Sequence, residues 1–127
     1  MDVRWLQGMQ WYRVEFGAGA DLFQSLRDFL NHESLKEAYV LYCIGSVDKA
    51  VLAYPKTREI PPEVARVMLE DLFEINVIAG EIRRTDDQIK VHLHGSLTKQ
   101  AREVFGGAIL EGTRIFKVAE LVIAGKP

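Results

Sequence analysis

The sequence predicts an α+β fold, a mainly antiparallel β-sheet flanked by two or three helices. Three observations carry that reading. Residues 88–97 (QIKVHLHGSL) alternate apolar and polar side chains, the two-residue period of a half-buried strand. Residues 21–31 instead space their apolar side chains at the helical period, behind an aspartate suited to cap a helix. The C-terminal strand-like segments are joined by short turns, which only antiparallel neighbours allow. A chain of 127 residues is one domain by length, spanning 1–127.

Residues 9–16 (MQWYRVEF) form the first expected strand, with Tyr12, Val14 and Phe16 on one face. Gly17 and Gly19 punctuate it. The helix over 21–31 follows, with Leu22, Phe23, Leu26, Phe29 and Leu30 as its apolar stripe. His32 falls at its end, where a cation suits the helix dipole. Two strands are expected next, 38–44 and 47–54, separated by Gly45 and Ser46. Pro61 and Pro62 then suggest a helix start, with Val64, Val67, Met68 and Leu72 as its stripe. Residues 73–84 read as a long strand, and the slip in alternation near Ala79 and Gly80 suggests a bulge or bend there. Thr85 to Asp87 turn the chain into the strand 88–97. Gly106 and Gly107 mark a tight place, and 113–124 is the last strand.

Composition excludes several classes. Sixteen basic and eighteen acidic residues give a formal charge of −2, and neither half of the chain is a basic arm or an acidic tail. That argues against DNA binding through bulk electrostatics. The single cysteine, Cys43, rules out an internal disulfide framework and a cysteine-rich zinc ribbon. It lies in an apolar strand, as a buried, inert thiol would. No apolar run approaches the ~20 residues of a membrane helix. Residues 1–10 lack the apolar core of a secretory signal, so a cytoplasmic location is expected.

The sharpest chemical feature is His92 and His94. Two histidines at i and i+2 on a strand share a face, ~7 Å apart at the backbone, and both imidazoles can reach one metal ion. A divalent metal such as zinc needs a third protein ligand. Glu74 and Glu111 are carboxylate candidates; His32 and Cys43 are the remaining nitrogen and sulfur donors. Lys90 shares the histidine face, so the same residues could instead hold a small anion. Other motifs are incomplete. Gly17-Ala18-Gly19 stands between a strand and a helix, but Leu22 occupies the third glycine of a dinucleotide fingerprint and Asp21 would repel phosphate. Ser46 and Ser96 each follow a glycine without forming a nucleophile elbow. Arg83 and Arg84 read as a solvated hairpin end beside Asp86 and Asp87. Trp5 and Trp11 suit either an interface between subunits or ordinary core packing.

The blocks GAGADLFQSLRDFL, YCIGSVDKAVLAY, FEINVIAGEI, VHLHGSL and FGGAILEGTRIFKVAELVI, taken together, resemble the plant and prokaryote conserved (PPC) domain over about Tyr12–Ile123. The resemblance implies an antiparallel α+β domain assembling as a homotrimer, with distant similarity to acetolactate decarboxylase, a zinc enzyme. In plants such domains are joined to basic hooks that bind DNA, while the domain itself assembles and binds partners. No such hook occurs here. The family's metal-like pattern has two strand histidines and a third after a Gly-Gly pair. His92, His94, Gly106 and Gly107 match it, but Ala108 stands where the third histidine would be and has no ligand atom.

The functional expectation is therefore an oligomeric binding and assembly module, associated with DNA through a partner or a trimer surface. The alternative is a metal-dependent enzyme of hydrolase or decarboxylase type using His92 and His94. Whether Arg4, Arg83, Arg84, Lys90, Lys99 and Arg102 gather on one surface decides how directly DNA could be held.

Overall fold

A computed structural model describes all 127 residues. Seven strands and one helix follow in the order β1 (Gln10–Gly17), α1 (Leu22–His32), β2 (Glu37–Pro55), β3 (Val64–Leu69), β4 (Phe73–Thr85), β5 (Gln88–Lys99), β6 (Glu103–Ile109) and β7 (Arg114–Lys126). All pairings are antiparallel, in the order β1-β7-β2-β4-β5-β6. The far half of β2 also pairs with β6 at Leu52 and Ala53, so β2, β4, β5 and β6 close on themselves. β3 lies on the other edge of that half.

The helix forms as its sequence predicts. Asp21 caps it by accepting the Gln24 amide at 2.9 Å. Leu22, Leu26 and Leu30 are fully buried against the inner sheet face. Phe29 meets Tyr12 of β1 edge to face, with ring centres 5.2 Å apart. On the same inner face, Val40, Ile82, Leu93, Ile109 and Ile123 complete the core.

Three expectations need correction. The second helix does not form, since Val64–Leu69 is a strand paired with Ala50–Pro55. Val64, Val67 and Met68 have the helical period, but Ala65, Val67 and Leu69 alternate as a half-buried strand face would; alternation wins because the open edge of β2 satisfies the backbone of 64–69. The two prolines push the residues before them off the helical region and lengthen the preceding loop instead. Second, the two strands expected over 38–54 are one 19-residue strand. Gly45 bends it at φ 137° rather than ending it. Third, of the bulge or bend expected near Ala79 and Gly80, the bulge falls earlier in β4, between Ile75 and Val77, while Gly80 takes φ 156° where the pairing with β2 is interrupted. Gly106 and Gly107 lie within β6, where a side chain on either would press on the backbone oxygen of Gly95 or Ala53.

Cys43 is fully buried, and burial pushes its thiol from an ordinary 9.0 up to about 12. It should resist thiol reagents in the native protein and react once urea unfolds it. The raised value favours folding only while the unfolded thiol stays protonated. Stability is therefore expected to fall as pH climbs from about 9 towards 12, and Cys43→Ala should remove that slope in pH-dependent urea titrations. Native-state labelling as fast as that of the unfolded chain would contradict this.

Candidate functional site

β5 carries His92 and His94 on its outward face, as the alternation predicts, with Leu93 buried between them. Their Nε2 atoms converge to 3.2 Å, and the rings meet edge to face. That distance suits an N–H···N hydrogen bond between two neutral imidazoles. It is also close to the ~3.3 Å that separates two nitrogens on one tetrahedral zinc with bonds of about 2.0–2.1 Å.

The surroundings decide how far the metal analogy goes. Ala108 of β6 stands directly opposite His94, and Ala53 of β2 stands beyond it. A methyl group therefore occupies the place from which a third ligand would reach. Neither candidate carboxylate joins the pair. Glu74 pairs across from Thr98, farther along β5, and Glu111 is held by Arg27 of α1. Arg27 also draws the Glu111 carboxyl below its ordinary range, by hydrogen bonding and then by charge. His32 is exposed and bonds Glu33 at 2.7 Å, while Cys43 is in the core. No three His, Cys, Asp or Glu side chains are grouped to hold one ion. The two imidazoles fit a metal and the rest of the chain does not complete the set. No catalytic step is therefore assigned through a metal.

The histidines border a cleft of about 550 Å³ floored by the small residues Ala53, Gly107 and Ala108 and walled by Tyr54 and Val64. Sequence reasoning missed Glu81, which the β4–β5 register places opposite His92 and which Arg83 engages at 3.2 Å. The tight turn at Asp86 and Asp87 was the signal, because it fixes which residues of the hairpin face each other. It also missed Arg66, whose strand was read as a helix. Arg66, Ala53, Ala108 and His94 form one cross-strand row over β3, β2, β6 and β5.

The six basic residues singled out in the sequence do not form one patch. Arg83 and Lys90 face each other across β4 and β5. Lys99 lies at the far end of β5, bound to Asp71 at 2.6 Å, and Arg102 is in the turn beyond. Arg84 reaches Asn31 and the Leu35 carbonyl, and Arg4 lies beside the Tyr39 hydroxyl. The Lys99 partner lowers the Asp71 carboxyl from its ordinary range. Gly17 to Gly19 makes the turn between β1 and the helix cap and holds no constellation of charges.

A small antiparallel domain with one helix on its inner face and a histidine pair on its outer face is the class that these features define. A family profile agrees: the Plants and Prokaryotes Conserved (PCC) domain matches residues 5–125, and the chain belongs to that family. Solved structures share the fold. A plant- and prokaryote-conserved protein from Pyrococcus horikoshii is 24% identical with a TM-score of 0.83, over 98% of this chain and 84% of its own. A metal-containing protein from Archaeoglobus fulgidus is also 24% identical at 0.83, over 99% and 86%. Among curated proteins, a bifunctional protein GlmU from Synechococcus is 26% identical over 116 residues, covering 91% of this chain and 17% of that protein. The chain thus spans about a sixth of the length of that relative.

Proposed function

We propose that this chain is an oligomer-forming binding and assembly module that functions as a homotrimer. The observation that supports it is the outer sheet face. A single helix covers the inner face and none covers the outer one. Trp11, Leu41 and Ile44 lie exposed on the strands β1 and β2, and Trp5 lies exposed just before them. Leu6, Met9, Trp11, Tyr39, Leu41 and Ala124 line a mainly apolar groove of about 470 Å³. The exposure of both tryptophans removes the core-packing alternative. Contiguous apolar surface of this kind marks contact with another protein. DNA association would belong to a partner or to a surface built from several copies, because the basic residues of one copy are dispersed. Two structural neighbours, from Bacteroides thetaiotaomicron and Ralstonia eutropha, bear DNA-binding names given provisionally.

Light scattering on the purified chain at micromolar concentration tests this. The expected mass is three times the 14.4 kDa of one chain. Trp11→Glu with Leu41→Glu should shift it to a folded monomer. A monomeric wild type would overturn the proposal.

A second reading is favoured by the Nε2 spacing of His92 and His94. A divalent metal would sit on the pair, with a further donor from another copy, and support hydrolytic or decarboxylating chemistry. The Archaeoglobus relative is named as containing metal. Elemental mass spectrometry after dialysis against plain buffer tests it. About one metal per chain, lost in His92→Ala, would support this reading, and none would end it.

A further inference from the structure

A second groove lies beside the histidine pair. β6 ends at Ile109, opposite Leu93, so the edge of β5 from Gln88 to His92 has no strand beside it. A groove of about 510 Å³ follows that edge. Phe23 and Arg27 of α1 form one wall, and Arg66 of β3 approaches from the other side. Leu110 and Glu111, in the turn between β6 and β7, close the end. Thr113 fixes this turn: its buried hydroxyl accepts the Val51 amide at 3.1 Å and donates to the Leu110 carbonyl at 2.9 Å.

The charges within the groove are unevenly satisfied. Arg27 and Glu111 neutralise each other. Arg66 and Lys90 have no carboxylate within ion-pair distance. Beside them, the aromatic and aliphatic groups of Phe23, Ile89, Val91 and Leu110 are apolar. The free edge of a strand adds backbone amides and carbonyls that seek partners. A groove with two unpaired cations, an apolar lining and open backbone donors matches one ligand chemistry, an apolar body carrying an anionic head.

We infer that this groove binds a small organic anion, a carboxylate or phosphate monoester with an aromatic or aliphatic body. Arg66 and Lys90 hold the anionic head, the free edge of β5 supplies hydrogen bonds, and Phe23 with Leu110 packs against the body. The site is separate from the apolar face proposed for assembly and needs no metal at the histidine pair.

The test is a titration of the isotopically labelled protein, followed by backbone amide resonances. Phenyl phosphate and benzoate are the anionic probes, and benzyl alcohol is the neutral one. The anions are expected to give saturable shifts centred on Val91, His92 and Leu110, with whichever head group the site prefers binding more tightly. Benzyl alcohol should bind at least about tenfold more weakly, as should either anion to the Arg66→Ala, Lys90→Ala double variant. Lys99→Ala, which removes a cation elsewhere, should leave binding unchanged. The variants' own spectra report whether they are folded, and single replacements by Gln stand in if the double variant is not. Non-saturable shifts, shifts centred elsewhere, or undiminished binding in the charge-removed variants would overturn the inference. Light scattering on the same samples reads assembly separately, so failure of the groove and failure of the trimer are distinguishable.

Discussion

Ala108→His is expected to convert the histidine pair into a zinc site. Residue 108 stands directly across from His94, so its side chain emerges on the face that already carries both imidazoles. Those imidazoles hold their Nε2 atoms 3.2 Å apart, which suits two corners of a zinc tetrahedron. Three protein ligands and one water make a complete open site. Even a residue that only supports a ligand is worth ~10–100-fold in metal affinity, so an added ligand should tighten zinc by at least that factor. The variant should retain about one zinc per chain after dialysis, while His94→Ala in the same background should lose it. Circular dichroism checks that the fold survives. If the folded variant binds zinc no better than the wild type, the third position is not where the register puts it.

Gly45→Ala, like the equally crowded Gly80→Ala, should be among the most damaging small substitutions in the sheet. Gly45 has φ 137°, a conformation that a side chain disfavours. A Cβ there would overlap the backbone oxygen of Val118 and lie 2.9 Å from the Ala119 Cα. Backbone cannot swing aside as the end of a long side chain can. Strain and steric overlap together should cost on the order of 3 kcal/mol or more, read as a lower urea midpoint. Gly17→Ala, which meets nothing within 4 Å and has no positive φ, is the control and should change little. Comparable midpoints for the two variants would show that β2 can relax around the added methyl group.

Particular residues show where sequence reasoning sufficed. The helix was legible because Asp21, the leucine spacing and the flanking glycines agree with one another. The histidine face of β5 was legible because strict alternation leaves one arrangement. Arg66 was not, because the segment carries two apolar patterns, Val64, Val67 and Met68 at helical spacing and Ala65, Val67 and Leu69 in alternation, and only the waiting edge of β2 chooses between them. The continuity of β2 was equally hidden. A glycine reads as a break in a sequence, whereas here it is the bend that lets one strand serve both parts of the sheet. The weakness at position 108 was visible, but its position opposite His94 emerges only from pairing between strands far apart in the chain.

The partnership of the first and last strands has a consequence for synthesis. β1 has only β7 as its neighbour, and the near half of β2 lies between β7 and β4. A ribosome therefore releases the opening strand long before its partner exists. Until residues 114–126 emerge, Trp11 and the first strand have no sheet to join, and one edge of β2 stays open to any extended chain nearby. The final strand is thus the step that commits the molecule. Truncation within it should yield chains that associate through unpaired edges, whatever the fate of the histidine site at the other side of the sheet.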